Sequence, residues 1–258
     1  MKSLIALAFA GGLFIGSAHA QISSESGVLF PEDQGGILVG PVGGINLVSY
    51  SSAAFPILES EPECFQAQNG SDVAPFGGLT VEIPLGQGMT SFIVGEAIYD
   101  SKSSKFTSVN ENRANVKTKL DGVVGDGNVT TSLTADVAYF LLNVGYKHNF
   151  VEGPAPVGPG VQLVGSFGFK VQNALNETVT VSAVNGSATV TNSADNPDAE
   201  GMRIALRAQF TYDIPLSQTW IATPTAGYDL AISKVDNSIR DWKASSAFGG
   251  VYIRYLIR

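Results

Sequence analysis

Eight charged residues of this chain occupy the polar positions of alternating apolar–polar stretches: Glu82, Glu96, Lys147, Lys170, Arg203, Arg207, Asp229 and Arg254. Both signs are present. Such residues can do two kinds of chemistry. They can pair and brace a narrow interior, or they can line a polar passage that a gate opens. An isolated charge in a narrow interior is costly, so pairing is the expectation.

Catalysis has little to draw on. Beyond residues 1–20 the only histidine is His148, near a predicted short turn. A Ser–His or Asp–His site at the opposite rim therefore lacks its base, and His148 reads as an interfacial residue. No enzyme activity is expected. The loop acids Asp121, Asp126, Asp195, Asp198 and Glu200 match no calcium-loop spacing. The single Cys64 lies in a polar stretch, which excludes an internal disulfide framework and a cysteine zinc site. No metal or cofactor is expected. The Asn-x-Ser/Thr triplets at Asn69, Asn128, Asn176 and Asn185 read as polar loop sequence.

The elements that must position the charges are strands. From Met202 to Leu216 every second residue is apolar, with Arg203 and Arg207 between them. A period of two puts the two sets on opposite faces. This run is far longer than the usual strand of about 5–6 residues. It suits a tilted strand crossing a bilayer, which needs roughly 9–11 residues. Seven more segments read the same way: residues 37–50, 76–85, 90–102, 133–150, 161–173, 220–234 and 246–258. Glu96 sets the phase of the third, turning Ile93, Gly95, Ala97 and Tyr99 outward. In the fourth, the phase slips near Ala138-Tyr139, which implies a bulge or an upper part standing clear of a membrane.

The connections alternate between short (86–88, 151–160, 217–219) and long and polar (51–75, 103–132, 174–201, 235–244). Bacterial outer-membrane barrels have short periplasmic turns and long extracellular loops. Phe150, Pro215, Trp220 and Tyr255 mark the short-turn ends, as an interfacial girdle would. The reading is all-β: an eight-stranded antiparallel up-and-down transmembrane β-barrel. A secreted soluble β-sandwich is the second alternative.

Residues 1–20 read as a secretory signal peptide, with Lys2 before an apolar stretch and Ala18-His19-Ala20 at the cleavage position. Residues 21–35 form a short periplasmic leader and 36–258 the barrel. The expected location is the bacterial outer membrane. The formal net charge is −8, or −9 once Lys2 is lost, which excludes nucleic acid as a partner.

The pattern resembles the eight-stranded outer-membrane β-barrel family of the OmpA transmembrane domain and OmpX. More narrowly, it is similar to porin-family barrel proteins of the Bacteroidota and Chlorobi–Ignavibacteria type, found in the Gram-negative cell envelope. The resemblance rests on Val42-Gly43-Gly44-Ile45-Asn46-Leu47, Gly77-Gly78-Leu79-Thr80-Val81-Glu82-Ile83-Pro84-Leu85 and Gly249-Gly250-Val251-Tyr252-Ile253-Arg254-Tyr255. It implies an antiparallel meander, insertion by the outer-membrane assembly machinery, and contact with outer-membrane lipid and lipopolysaccharide. The chain departs from the family in ending on Arg258 where many members end on an aromatic residue. No cell-wall tether is expected.

The inward set comprises Asn46, Glu82, Glu96, Asn143, Lys147, Lys170, Gln172, Arg203, Arg207, Gln209, Asp229, Tyr252 and Arg254. Glu96, Lys170, Arg207 and Asp229 fall at similar heights, with Arg207 and Asp229 expected to pair. Glu82, Lys147, Asp213 and Arg254 fall nearer the periplasm. The function expected is a structural or surface-interaction barrel, monomeric, with a lumen plugged by paired charges and long loops that could meet an extracellular ligand. The alternative is a narrow pore for small solutes or ions, since Gly40, Gly44, Gly168 and Gly250 leave room for water.

Overall fold

The computed structural model describes residues 36–51, 69–86, 89–110, 127–183, 186–194, 200–235 and 243–258. The signal-peptide and leader residues, Cys64, the acids Asp121, Asp126, Asp195 and Asp198, and Asn185 lie outside the described residues.

Alternation in the chain becomes strand throughout. The strands are β1 (Ile37–Ser51), β2 (Asn69–Pro84), β3 (Ser91–Ser101), β4 (Ser104–Asn110), β5 (Gly127–Asn149), β6 (Gly158–Ala183), β7 (Gly186–Ala194), β8 (Met202–Pro215), β9 (Trp220–Ala231) and β10 (Lys243–Ile257). All pairings are antiparallel. β1 pairs with β2 on one side and β10 on the other, from Ile37↔Ile257 to Ser51↔Lys243. β3 and β4 both pair with β5, and β6 pairs with β8 below and β7 above. Ten strands thus occupy eight positions around one closed all-β barrel. Closure removes sheet edges from the wall. Among the described residues the strands form one closed sheet and not the two packed sheets of a sandwich.

Each wall strand turns a large apolar residue outward at mid-height: Ile45, Leu79, Ile93, Leu142, Leu163, Leu206, Leu230 and Val251 are all exposed. Rings flank this belt. Trp220 and Tyr255 meet edge to face at 5.1 Å near one rim, and Phe167 and Phe169 meet at 5.0 Å toward the other. The alternation of β8 is unbroken from Met202 to Ile214, with Arg203, Arg207 and Asp213 buried.

The structure departs from the sequence reading in three places. The long connections are partly strand: β2 begins at Asn69, β4 lies within 103–132, and 174–201 contains the top of β6 and all of β7. Asn69, Asn128 and Asn176 are therefore in strands. Thr- and Val-rich sequence satisfies its backbone in a hairpin without a dry core. Second, β5 does not slip. Ala135, Val137, Tyr139, Leu141, Asn143 and Lys147 share one buried face. The apparent slip arose because that inner face changes from polar to apolar above Asn143. Third, the bulge expected near Ala138-Tyr139 is present, between Ala138↔Gln172 and Tyr139↔Lys170, but the extra residue is Val171, on β6 and not on β5. It turns Gln172 outward, where its Oε1 accepts from the Tyr99 hydroxyl at 3.4 Å.

Candidate functional site: the charged interior

The interior is layered, and the register sets the layers. At the short-turn end lie Leu38, Met89, Phe92, Val94, Val164, Ile221 and Leu256. Met89 takes a left-handed backbone conformation, φ 45°, in the turn between β2 and β3. That conformation is uncommon for a side-chain-bearing residue, and here it accompanies a buried side chain.

Beside these residues two acids and two bases form a closed group, with Glu82 the register partner of Leu38, Lys147 of Phe92 and Arg254 of Ile221. Lys147 Nζ lies 2.8 Å from Asp213 and 3.4 Å from Glu82. The Arg254 guanidinium bridges the same two carboxylates. Asp213 also accepts from Thr223 Oγ1 at 2.6 Å and Asn149 Nδ2 at 2.8 Å. All four charged residues are buried. Charges held this far from water are tolerable only when such hydrogen bonds accompany the pairing.

The middle layer is built differently. Glu96 accepts from Asn143 Nδ2 at 2.8 Å, Gln162 Nε2 at 2.9 Å and the Tyr252 hydroxyl at 2.9 Å. Gln209 Nε2 donates to the same Tyr252 oxygen at 2.9 Å. Among the described residues, no ion pair reaches Glu96. Arg207 is likewise without an acid partner among the described residues. Its guanidinium lies 3.7 Å from the Phe248 ring centre and 4.8 Å from that of Phe76, a cation–π arrangement. Its buried Nε and Nη2 atoms have no hydrogen-bond acceptor.

Those two rings explain the inward glycines. A Cβ on Gly44 or Gly250 would stand 2.7 or 2.8 Å from the Phe76 ring, and one on Gly227 would stand 2.6 Å from that of Phe248. A Cβ on Gly168 would meet Leu141 at 2.5 Å, and one on Gly40 would meet the backbone of Ile253 and Arg254. At Gly40, Gly44, Gly168 and Gly250 a side chain would therefore meet neighbouring protein atoms.

The upper charged layer again holds two acids and two bases. Asp229 binds Arg203 Nη2 at 2.7 Å and Lys102 Nζ at 3.4 Å, and Lys102 reaches Asp100 at 3.1 Å. Asn46 Nδ2 donates to Asp100 at 2.6 Å and Lys102 Nζ to Ser246 Oγ at 2.6 Å. Tyr50 donates its hydroxyl to the Lys102 carbonyl. Tyr50, Phe106 and Tyr139 belong to an apolar cluster that also includes Phe76, Phe248 and Tyr252.

Seven of the eight charged positions singled out from the sequence are buried in these layers. Arg207 and Asp229 are register partners, as the strand count implied. The ion pair nevertheless goes to Arg203, four residues away on β8, while Arg207 turns onto the rings. Lys170 is half-buried beside the Val171 shift and lies outside the layers. Asp100 and Lys102 were missed, although parity could have found them. They lie four and six residues beyond Glu96, on the same face.

His148 sits on the outer wall, between Tyr146 at 6.4 Å and Phe150 at 5.6 Å, ring centre to ring centre. Its Nδ1 is 3.3 Å from Ser91 Oγ. No carboxylate joins them among the described residues, so the orienting acid of a triad is not in place.

A closed antiparallel eight-stranded barrel with a charged interior and an apolar outer wall is the class this geometry defines. No protein-family profile and no curated protein matches the chain. Among solved structures it is similar to Ail, the attachment invasion locus protein of Yersinia pestis, at 12% identity, with 86% of this chain and 99% of that one covered and a TM-score of 0.33. It is also similar to Neisserial surface protein A, at 8% identity, 84% and 96% coverage and a TM-score of 0.38. A third is the outer-membrane protease OmpT of Escherichia coli, at 6% identity, 90% and 99% coverage and a TM-score of 0.37. Scores this low transfer no role to this chain.

Proposed function

We propose that this protein is an integral outer-membrane β-barrel, exported by its signal peptide, whose lumen is braced shut and whose work is done at the extracellular surface. The outer wall supports the membrane reading. A continuous belt of exposed aliphatic residues around all eight wall positions would be a large apolar patch in water. In a bilayer it is the ordinary lipid-facing surface.

The single observation that carries the plug is the inward packing. A closed four-charge group below and a four-charge chain above, with Arg207 and its rings between them, occupy the bore, and neighbouring protein atoms stand against the inward glycines. Eight strands enclose an interior that side chains can fill. Five acids (Glu82, Glu96, Asp100, Asp213, Asp229) balance five bases (Lys102, Lys147, Arg203, Arg207, Arg254), all buried. Such a lumen braces the wall instead of conducting. The role is not enzymatic in this reading, and the partners are outer-membrane lipid, lipopolysaccharide and the barrel assembly machinery.

Reconstitution tests both parts. The folded protein should insert into lipid vesicles, migrate differently before and after heating, and show no single-channel openings in planar bilayers. Steady conductance of the unaltered protein would replace the brace with the pore reading.

A further inference from the structure

Near its short-turn rim the apolar outer wall carries a polar trio. Ser91 of β3 and His148 of β5 are register partners, and Tyr146 lies two residues before His148 on the same face. Ser91 Oγ is 2.8 Å from the Tyr146 hydroxyl and 3.3 Å from His148 Nδ1. None of the three residues is buried. Together they hold three donor hydrogens, one on each hydroxyl and one on the neutral imidazole. With the imidazole proton on Nε2, Nδ1 accepts within the trio and Nε2–H is left over. With the proton on Nδ1, that nitrogen donates to a hydroxyl, the hydroxyls share one contact, and one O–H is left over. Either tautomer leaves a donor for a group outside the trio. Among the described residues it has no acceptor.

Tyr146 also begins a groove of about 480 Å³ on the same wall, lined further by Val161, Leu163, Ala208, Phe210 and Tyr228. Ala208 is the small side chain between its register partners Leu163 and Tyr228. Phe210 is 73% exposed, so the groove opens to whatever surrounds the wall. The register gives it a slope. Ile93, Tyr146, Leu163, Ala208 and Tyr228 pair in one row across β3, β5, β6, β8 and β9. They stand two, three, five, seven and eight residues from the short-turn ends of those strands, at Ser91, Asn149, Gly158, Pro215 and Trp220. At about 3.3 Å per residue and a tilt near 45°, the row climbs roughly 12 Å from Tyr146 to Tyr228. One leaflet's share of the hydrocarbon is about 15 Å.

We infer that this strip of wall binds one phospholipid of the periplasmic leaflet, with its phosphodiester on Ser91, Tyr146 and His148 and one acyl chain in the groove. The polarity of the strip selects the occupant. It offers a hydrogen-bond donor at the rim and then an apolar path that rises toward mid-membrane. A phospholipid has that order of parts, an anionic acceptor at the surface and a chain running inward. The leaflet follows from the rim: the trio lies at the short-turn end, which faces the periplasm in an outer-membrane barrel. The other outward residues of that end, such as Ile83, Ile214 and Ile257, are apolar and exposed and offer a headgroup nothing comparable.

This inference rests on the membrane reading, and the experiment separates the two. Full-length protein is folded into vesicles of phosphatidylethanolamine and phosphatidylglycerol and checked for insertion by heat-dependent migration. It is then transferred to mild detergent and weighed by native mass spectrometry. The wild type should keep one phospholipid. Ala208→Leu fills the groove, and Ser91→Ala/Tyr146→Phe/His148→Phe removes the donors. Each should keep the lipid about fivefold less or worse, the effect of at least one lost hydrogen bond or its equivalent in contact. Ala97→Leu, at an outward alanine elsewhere on the wall, should match the wild type. A phosphatidylethanolamine with a mid-chain diazirine needs no substitution: in wild-type vesicles it should label Leu163 and Phe210 above Leu79 and Ile83. Failure of the wild type to insert overturns the membrane reading. Insertion with no retained phospholipid, or with even labelling around the wall, overturns this inference alone. So does equal retention by the groove or trio variant, or of a diacylglycerol with the same chains. A dimer that Ala208→Leu dissolves also overturns it, because the groove is then a contact between copies.

Discussion

The group around Asp213 and the layer around Arg207 lie in the same bore and use the same residue types, yet they hold charge in opposite ways. In the lower group every charge touches two of opposite sign: Lys147 and Arg254 each contact both Glu82 and Asp213. In the middle layer Glu96 is held by neutral donors and Arg207 by ring faces. The difference follows from neighbours. Near Asp213 the inward positions carry Thr223 and Asn149, which both donate to its carboxylate. Near Arg207 they carry glycine, which admits Phe76 and Phe248. A buried cation can thus be satisfied by a lattice of acids or by aromatic faces. Only the first makes each member depend on the rest.

The largest expected effect tests that dependence. Asp213→Ala leaves Lys147 and Arg254 sharing Glu82 alone. Breaking a buried ion pair costs about 3–5 kcal/mol. A loss of that size is expected in urea unfolding from vesicles, with Asp213→Ala/Arg254→Ala losing less than the sum of the single variants. Strict additivity would mean that the lower group is not one unit.

The next effect is a coupling, set between the two styles. Asp229 is an ion partner of Arg203 and the register partner of Arg207. Double-mutant cycles should give Arg203 and Asp229 an interaction of about 0.5–3 kcal/mol. The coupling of Arg207 with Asp229 should be clearly smaller. If the two couplings prove equal, Arg207 exchanges onto Asp229 and the layers are not distinct.

This pair also marks how far the sequence could be read. Strand parity placed Arg207 and Asp229 face to face, because a period of two and a short turn fix register. It did not choose between Arg203 and Arg207. Both guanidiniums have the length to reach Asp229, and the choice depends on Phe248 filling the space beside Gly227 from a strand in another part of the chain. The same limit applies to Val137 and Ala135, whose inward direction looked like a phase slip because apolar residues were expected to face outward. Polarity tells inside from outside only where the interior is polar. The strand above the wall was hidden for a different reason. Thr, Ser and Asn serve loop and solvated hairpin alike, so composition alone left residues 174–201 as a loop.

A smaller effect is expected at Glu96. Glu96→Gln keeps the shape and removes a charge that no cation contacts among the described residues. One of its oxygens becomes a donor facing Asn143. The Asn143 Oδ1 atom is buried without a partner, so a flip of that amide supplies an acceptor. A cost of about 1 kcal/mol, that of one net hydrogen bond, is expected. Glu82→Gln, which strips an acid from both Lys147 and Arg254, should cost more. A reversal of that order in the unfolding midpoints would undo the contrast between the layers.

The smallest effect belongs to Arg207 itself, where two terms oppose. Arg207→Met loses the cation–π contact with Phe248 and Phe76, worth about 2 kcal/mol when shielded from water. It also removes the unsatisfied donors at Nε and Nη2 of the guanidinium, a group whose unpaired burial costs about 1–3 kcal/mol. Methionine is flexible enough to lie between the same rings. The net change in unfolding free energy should therefore stay within about 1 kcal/mol of zero, far below Asp213→Ala in the same bore. A loss as large as that of Asp213→Ala would mean that an acid pairs with Arg207 in the membrane-embedded protein. The middle layer would then be a third ion-paired group. If Arg207→Met leaves stability unchanged but opens steady conductance in planar bilayers, Arg207 on its rings is the constriction. The lower and upper groups would then brace the wall without sealing it.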